Sequence, residues 1–173
     1  RIFNLSVYAS RPADVPEAGV VALFDTDFLI PDAAIDGILG SFNGGSGLLD
    51  DKGSDDGNYG SLASPVASSD IPSWGVNGYE NVATLTVTNQ GAGDIVLSSF
   101  NFDIGRQWDN SMEAFTLSVS GGVTADPALL VASGLTQVGN VGDYDDFDVD
   151  LTGLADHTLA TGESVVFTFT FVI

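Results

Sequence analysis

The chain lacks cysteine altogether and has one histidine, one methionine and four basic residues among its 173. Each shortage excludes a class of chemistry. Without cysteine there are no disulfides, zinc–thiolate sites or thiol nucleophiles. Four cations cannot neutralise a phosphate track, so nucleic acid is excluded as a partner. An anionic membrane surface would repel the chain for the same reason. No run approaches the ~18 apolar residues of a membrane helix, so no membrane span is expected. Neither of the longest apolar stretches, 19–24 and 164–173, has the layout of a signal peptide. No nucleophile elbow, HExxH or phosphate loop is present.

What the sequence has in excess is acid. Twenty-four Asp and Glu give a formal net charge of −20 and a pI near 4.1. Hydrophobic residues still make up 44% and mean hydropathy is +0.23, which argues against disorder. At this length one domain is expected, burying about 70% of its unfolded surface. An acidic, lysine-poor surface stays soluble in saline or calcium-rich water, which points to an extracellular or cell-surface setting.

Helical periodicity is nearly absent, while strict alternation recurs, the signature of strands. Phe3, Leu5, Val7 and Ala9 alternate with polar neighbours. Val82, Leu85 and Val87 alternate with Thr84, Thr86 and Thr88, with an irregularity near Ala83. Further strands are read at 95–102 and 114–120, and Phe147, Val149 and Leu151 alternate with Asp146, Asp148 and Asp150. The clearest case closes the chain: Val165, Phe167, Phe169, Phe171 and Ile173 share one face, and Val166, Thr168, Thr170 and Val172 the other. Turn residues separate these runs, as in Asn89-Gln90-Gly91-Ala92-Gly93-Asp94 and Ser120-Gly121-Gly122. The pattern predicts an all-β fold, an antiparallel, jelly-roll-like β-sandwich. One short helix is expected over 32–39, opened by Pro31-Asp32 and stopped by Gly40. Residues 41–73 read as long loops with one or two short strands. The expected organisation is a first strand at 1–10, a Pro-containing spacer at 11–17 and one sandwich domain over 18–173. Val172 and Ile173 would be odd as exposed terminal residues, so either the gene product continues or a neighbour covers this end.

Four segments carry a family resemblance. They are Asn101-Phe102-Asp103-Ile104-Gly105-Arg106-Gln107-Trp108-Asp109-Asn110-Ser111, Asp143-Tyr144-Asp145-Asp146-Phe147-Asp148-Val149-Asp150-Leu151, Leu159-Ala160-Thr161-Gly162-Glu163-Ser164-Val165 and, more weakly, 54–61. Together they resemble secreted β-sandwich domains of bacterial PEP-CTERM (exosortase-sorted) surface proteins. The resemblance implies export and placement at the cell surface or in its matrix, and no reaction. The chain departs from that pattern at its end, which has no Pro-Glu-Pro motif, terminal membrane helix or basic tail.

Two acidic clusters are candidate structural calcium sites, since calcium takes six to eight hard oxygens. The first contains Asp51 and Asp55 in a Gly-rich loop. The second contains Asp143, Asp145, Asp146 and Asp148 around a strand start. The bland reading of both is solvated acid, and the first does not fit an EF-hand, because Gly53 stands at a ligand position. Tyr59, Trp74 and Tyr79 lie in or beside loops and are candidate stacking rings for a carbohydrate, whereas Trp108 and Tyr144 are read as plugs for the core. Arg106 is expected to pair with Asp103 or Asp109, and His157 to be an ordinary loop residue. The four Glu, at positions 17, 80, 113 and 163, occupy no recognisable glycosidase setting, so no enzyme activity is expected.

The first strand, Phe3, Leu5, Val7 and Ala9, starts at once and is followed by Pro12 and Pro16. Such a strand on a stiff spacer has the layout of a donor strand, which completes a neighbour's sheet. The competing reading pairs it within its own sandwich. The expected function is a secreted structural subunit of an extracellular fibre or surface matrix, self-associating into a homopolymer. The alternative is a calcium-dependent, lectin-like module that binds polysaccharide.

Overall fold

The computed structural model describes residues 2–10, 19–24, 38–44, 48–49, 61, 73–74, 81–106, 112–137 and 144–172. Their regular structure is all strand: β1 (Ile2–Ser10), β2 (Gly19–Phe24), β3 (Ile38–Gly44), β4 (Leu48–Leu49), β5 (Ser73–Trp74), β6 (Val82–Asn89), β7 (Ile95–Ile104), β8 (Ala114–Gly121), β9 (Thr124–Gly134), β10 (Asp145–Asp150), β11 (Thr158–Leu159) and β12 (Ser164–Val172). Ile38 and Leu39, at the end of the expected helix, open β3 instead. The rest of that segment, and the spacer at 11–17, lie outside the described residues.

Two antiparallel sheets make the sandwich. The first runs β10-β7-β1-β5-β4, with β11 also on β7 and β2 also on β1. The second runs β3-β6-β12-β8-β9. The chain crosses between sheets after β2, β3, β5, β6, β7, β9 and β11, which interleaves the two layers of the sandwich. Alternation dictates the layers, because successive side chains leave a strand on opposite faces. On β12, Val165, Phe167, Phe169 and Phe171 are buried while the residues between them are not. On β6 the buried set is Ala83, Leu85, Val87 and Asn89, which places Val82 outside and removes the irregularity read near Ala83.

The core is built on phenylalanine. Phe100 of β7 meets Phe167 of β12 at 4.6 Å between ring centroids, and Phe102 meets Phe169 edge-on at 5.1 Å. Phe147 of β10 stacks on Phe102 at 5.2 Å and stands edge-on to Phe115 of β8, also at 5.2 Å. Offset and edge-to-face pairs of this kind add about 0.5–1.5 kcal/mol each beyond area burial. Tyr144 is buried, as the plug reading expected.

Two turns are fixed by specific groups. Asn89 is fully buried, and its amide spans the gap between loops: Nδ2 donates to the Gly93 and Leu159 carbonyls at 2.9 Å each, and Oδ1 accepts from Gly91 N at 3.0 Å. At the β8–β9 turn Gly121 has φ +98°, and a Cβ there would run into the Ser164 carbonyl oxygen. Only glycine meets both conditions.

Candidate functional site

The sandwich presents two outer faces with opposite chemistry. On the first sheet, β10 turns Phe147 and Val149 toward the core and Asp146, Asp148 and Asp150 outward. Its carboxylates are held by hydroxyl and backbone donors. Asp145 accepts from Thr136 N at 3.0 Å and from Thr136 Oγ1 at 2.8 Å. Asp148 accepts from Ser61 N at 3.3 Å and from the Ser61 hydroxyl. Asp150 accepts from Thr152 N and Oγ1 at 2.8 and 2.7 Å. The Thr152 side-chain bond, then its backbone bond, with His157 adding a smaller attraction, hold the Asp150 carboxyl below its usual range. Beside β10, β7 is buried on both faces from Phe100 to Ile104, including Asn101 and Asp103.

The outward face of the second sheet carries no charged side chain along β6, β12 and β8. β6 presents Thr84, Thr86 and Thr88. β12 presents Val166, Thr168 and Thr170, and β8 presents Thr116, Ser118 and Ser120. The register sets them in ranks: Thr84, Thr168 and Ser118 lie side by side, as do Thr86, Val166 and Ser120. Thr88 and Ser164 share a hydroxyl hydrogen bond of 2.7 Å at one end. Ranks recur about every 7 Å along the strands and neighbours stand about 4.8 Å apart across them. At the margins, Leu39 is 50% exposed, Val82 41% and Val172 53%. Thr-rich strands are favoured locally, since β-branched side chains suit a pleated surface. Among the described residues, the outward positions of β6, β12 and β8 hold no acid.

The residues singled out in the sequence fall as follows. Phe3, Leu5, Val7 and Ala9 all lie on β1, and Val7 is fully buried, opposite Phe100 on one side and Ala22 on the other. β1 pairs with β7 and β2 of its own chain, with Phe3 opposite Asp103, Leu5 opposite Phe24 and Ala9 opposite Leu97 and Gly19. Trp74 is in β5, where its backbone pairs with Ile2 and Leu48. Tyr59, Tyr79, Asp51, Asp55 and Asp143 lie outside the described residues. Asp145 and Asp146 come together with Glu113 and Phe147 in an open cleft of about 510 Å³, where the edges of the two sheets part. Among the described residues no group of three or more His, Cys, Asp or Glu is arranged to hold a metal ion. Arg106 donates its backbone N–H to Thr136 O at 3.0 Å, and its buried Nε has no hydrogen-bond partner among the described residues. No described helix is long and apolar enough to cross a membrane.

The threonine face was overlooked as a site in the sequence, although its signal was there. Thr or Ser recurs at every second position in 84–88, 116–120 and 168–170. Only the pairing shows that these three runs adjoin. No family model, curated protein or solved structure matches the chain.

Proposed function

We propose that the chain is a secreted structural subunit of an extracellular fibre or surface matrix, in which neighbours are joined by β-strand addition. The supporting observation is the place of β1. It is the first strand of the sequence, yet it sits inside its sheet between β7 and β2, with Val7 fully buried. A neighbour's β1 entering the same slot would make the same hydrogen bonds, so exchange loses no pairing. The segment after β1 contains Pro12 and Pro16, which resist continuing the strand across the gap. Repeated head to tail, the exchange is heterologous and gives an open filament. The acidic surface agrees with an extracellular setting. Electron microscopy of the native protein tests this: filaments are expected. Deleting residues 1–10 should abolish them, and a peptide of residues 1–10 should bind the truncated chain. A native chain that stays a monodisperse monomer at every concentration defeats the proposal.

A second reading, calcium-assisted carbohydrate binding, has one observation in its favour. The cleft places Glu113, Asp145 and Asp146, which can accept hydrogen bonds from sugar hydroxyls, beside the partly exposed Phe147. A glycan array with calcium and with a chelator tests it, and silence in both conditions removes it.

A further inference from the structure

We infer that the threonine face of the second sheet is a docking surface for the same face of a second copy of this chain. The inference rests on the self-assembling reading above and supplies a contact that β1 exchange does not. Exchange would join subunits along a fibre, whereas face-to-face packing would join one fibre to its neighbour.

Charge decides the occupant. Two copies each carrying −20 repel at almost any contact. The β10 side would set Asp146, Asp148 and Asp150 against like charges, and like charges in contact cost free energy. The outward positions of β6, β12 and β8 are the broad described surface where two copies meet without bringing carboxylates together. Salt near physiological strength screens the remaining acids over about 8 Å.

Shape and chemistry agree. Stacked sheets pack about 10 Å apart, with short β-branched side chains interdigitating. Thr168 is at the centre, flanked by Thr84 and Ser118. Hydroxyls of one copy face hydroxyls of the other, so burial leaves partners or bridging waters available. Leu39, Val82 and Val172 add apolar margin. A two-fold axis through the middle of the face makes the contact isologous.

Area sets the strength. Three strands and about seven residues of length give roughly 350 Å² per copy, well below the ~800 Å² per partner of a standard stable complex. A free subunit should therefore dimerise weakly. Subunits tethered in a fibre would present many such faces at once, and avidity would convert the weak contact into firm bundling.

The test uses the full chain. Methyl-labelled protein is titrated from about 10 μM to about 1 mM, the range in which a weak contact of this size is populated, at low and at physiological salt. Concentration-dependent shifts are expected at the Thr84, Thr86, Thr168 and Thr170 methyls, larger at the higher salt. Sedimentation should show a monomer–dimer equilibrium. Thr168→Asp places two carboxylates across the axis and should abolish both signals. Thr168→Val keeps the shape and should retain them. Methyls that do not shift at the highest concentration overturn the inference, as does a dimer indifferent to Thr168→Asp. Filaments whose bundling survives Thr168→Asp would defeat this contact and leave strand exchange standing. Dimers without filaments would do the reverse.

Discussion

On the first sheet, β10 points Asp146, Asp148 and Asp150 away from the core, and beside it Asn101 and Asp103 are buried on the far side of β7. On the second sheet, β12 points Val166, Thr168 and Thr170 outward, between the hydroxyl-bearing rows of β6 and β8. Both faces back onto the same phenylalanine core. The contrast separates two tasks. The first face is bound into its own fold, since Asp145, Asp148 and Asp150 spend oxygens on Thr136, Ser61 and Thr152. Among the described residues the second makes fewer such commitments: Thr88 and Ser164 share a hydroxyl bond, and the Thr84 hydroxyl donates to the Asn43 carbonyl at 3.4 Å. Polar groups engaged within the chain hold the fold. Polar groups left on a regular, uncharged sheet are available to a partner.

The largest effect that would break this comparison is at Asp103, which is fully buried and engaged by the surrounding protein. Asp103→Ala should cost about 2–4 kcal/mol in a denaturant melt, because the groups that engage this buried carboxyl lose their match. Thr168→Ala, on the other face, should stay within about 1 kcal/mol. If the two variants melt alike, the division between a structural face and a free face fails. Next in size is the hydroxyl pair: Thr88→Ala should cost about 0.5–1.5 kcal/mol, the ordinary net value of one hydrogen bond. A loss several times larger would mean that the second face is also knitted into the fold.

The sequence made the sandwich legible where one face of a strand is apolar and the other polar. β12 and β10 could be read residue by residue for that reason, as could the turn around Asn89. β9 was invisible. Pro127 interrupts it, and the register shifts where Leu117 and Ser118 face Val131 and Leu129, which spoils the two-residue period. β3 was obscured by Pro31-Asp32 and Gly40, which mimic helix start and stop signals. The first segment is legible as a strand, but its slot between β7 and β2 depends on pairings some 90 residues away. The threonine face was hidden for a related reason. Each run is an ordinary strand alone, and only the order β6-β12-β8 turns three runs into one surface.

The smallest expected effect sharpens the first half of the comparison. Asp150 is exposed, and its carboxyl is held below the usual range first by the Thr152 hydroxyl and then by the Thr152 backbone N–H. A carboxylate whose folded-state pKa is depressed contributes stability above its unfolded pKa, and loses it as pH falls through the folded value. Thr152→Ala removes the larger bond. It should raise the Asp150 titration midpoint toward that of a free aspartate, followed by carboxyl-carbon NMR, and lower neutral-pH stability slightly. The difference between variant and parent should be present near neutral pH and close in acid, where both carboxyls become protonated. If the midpoint stays depressed without the hydroxyl, the backbone bond and His157 carry the effect. The acids of β10 would then be held by the fold of the chain rather than by the threonine beside them.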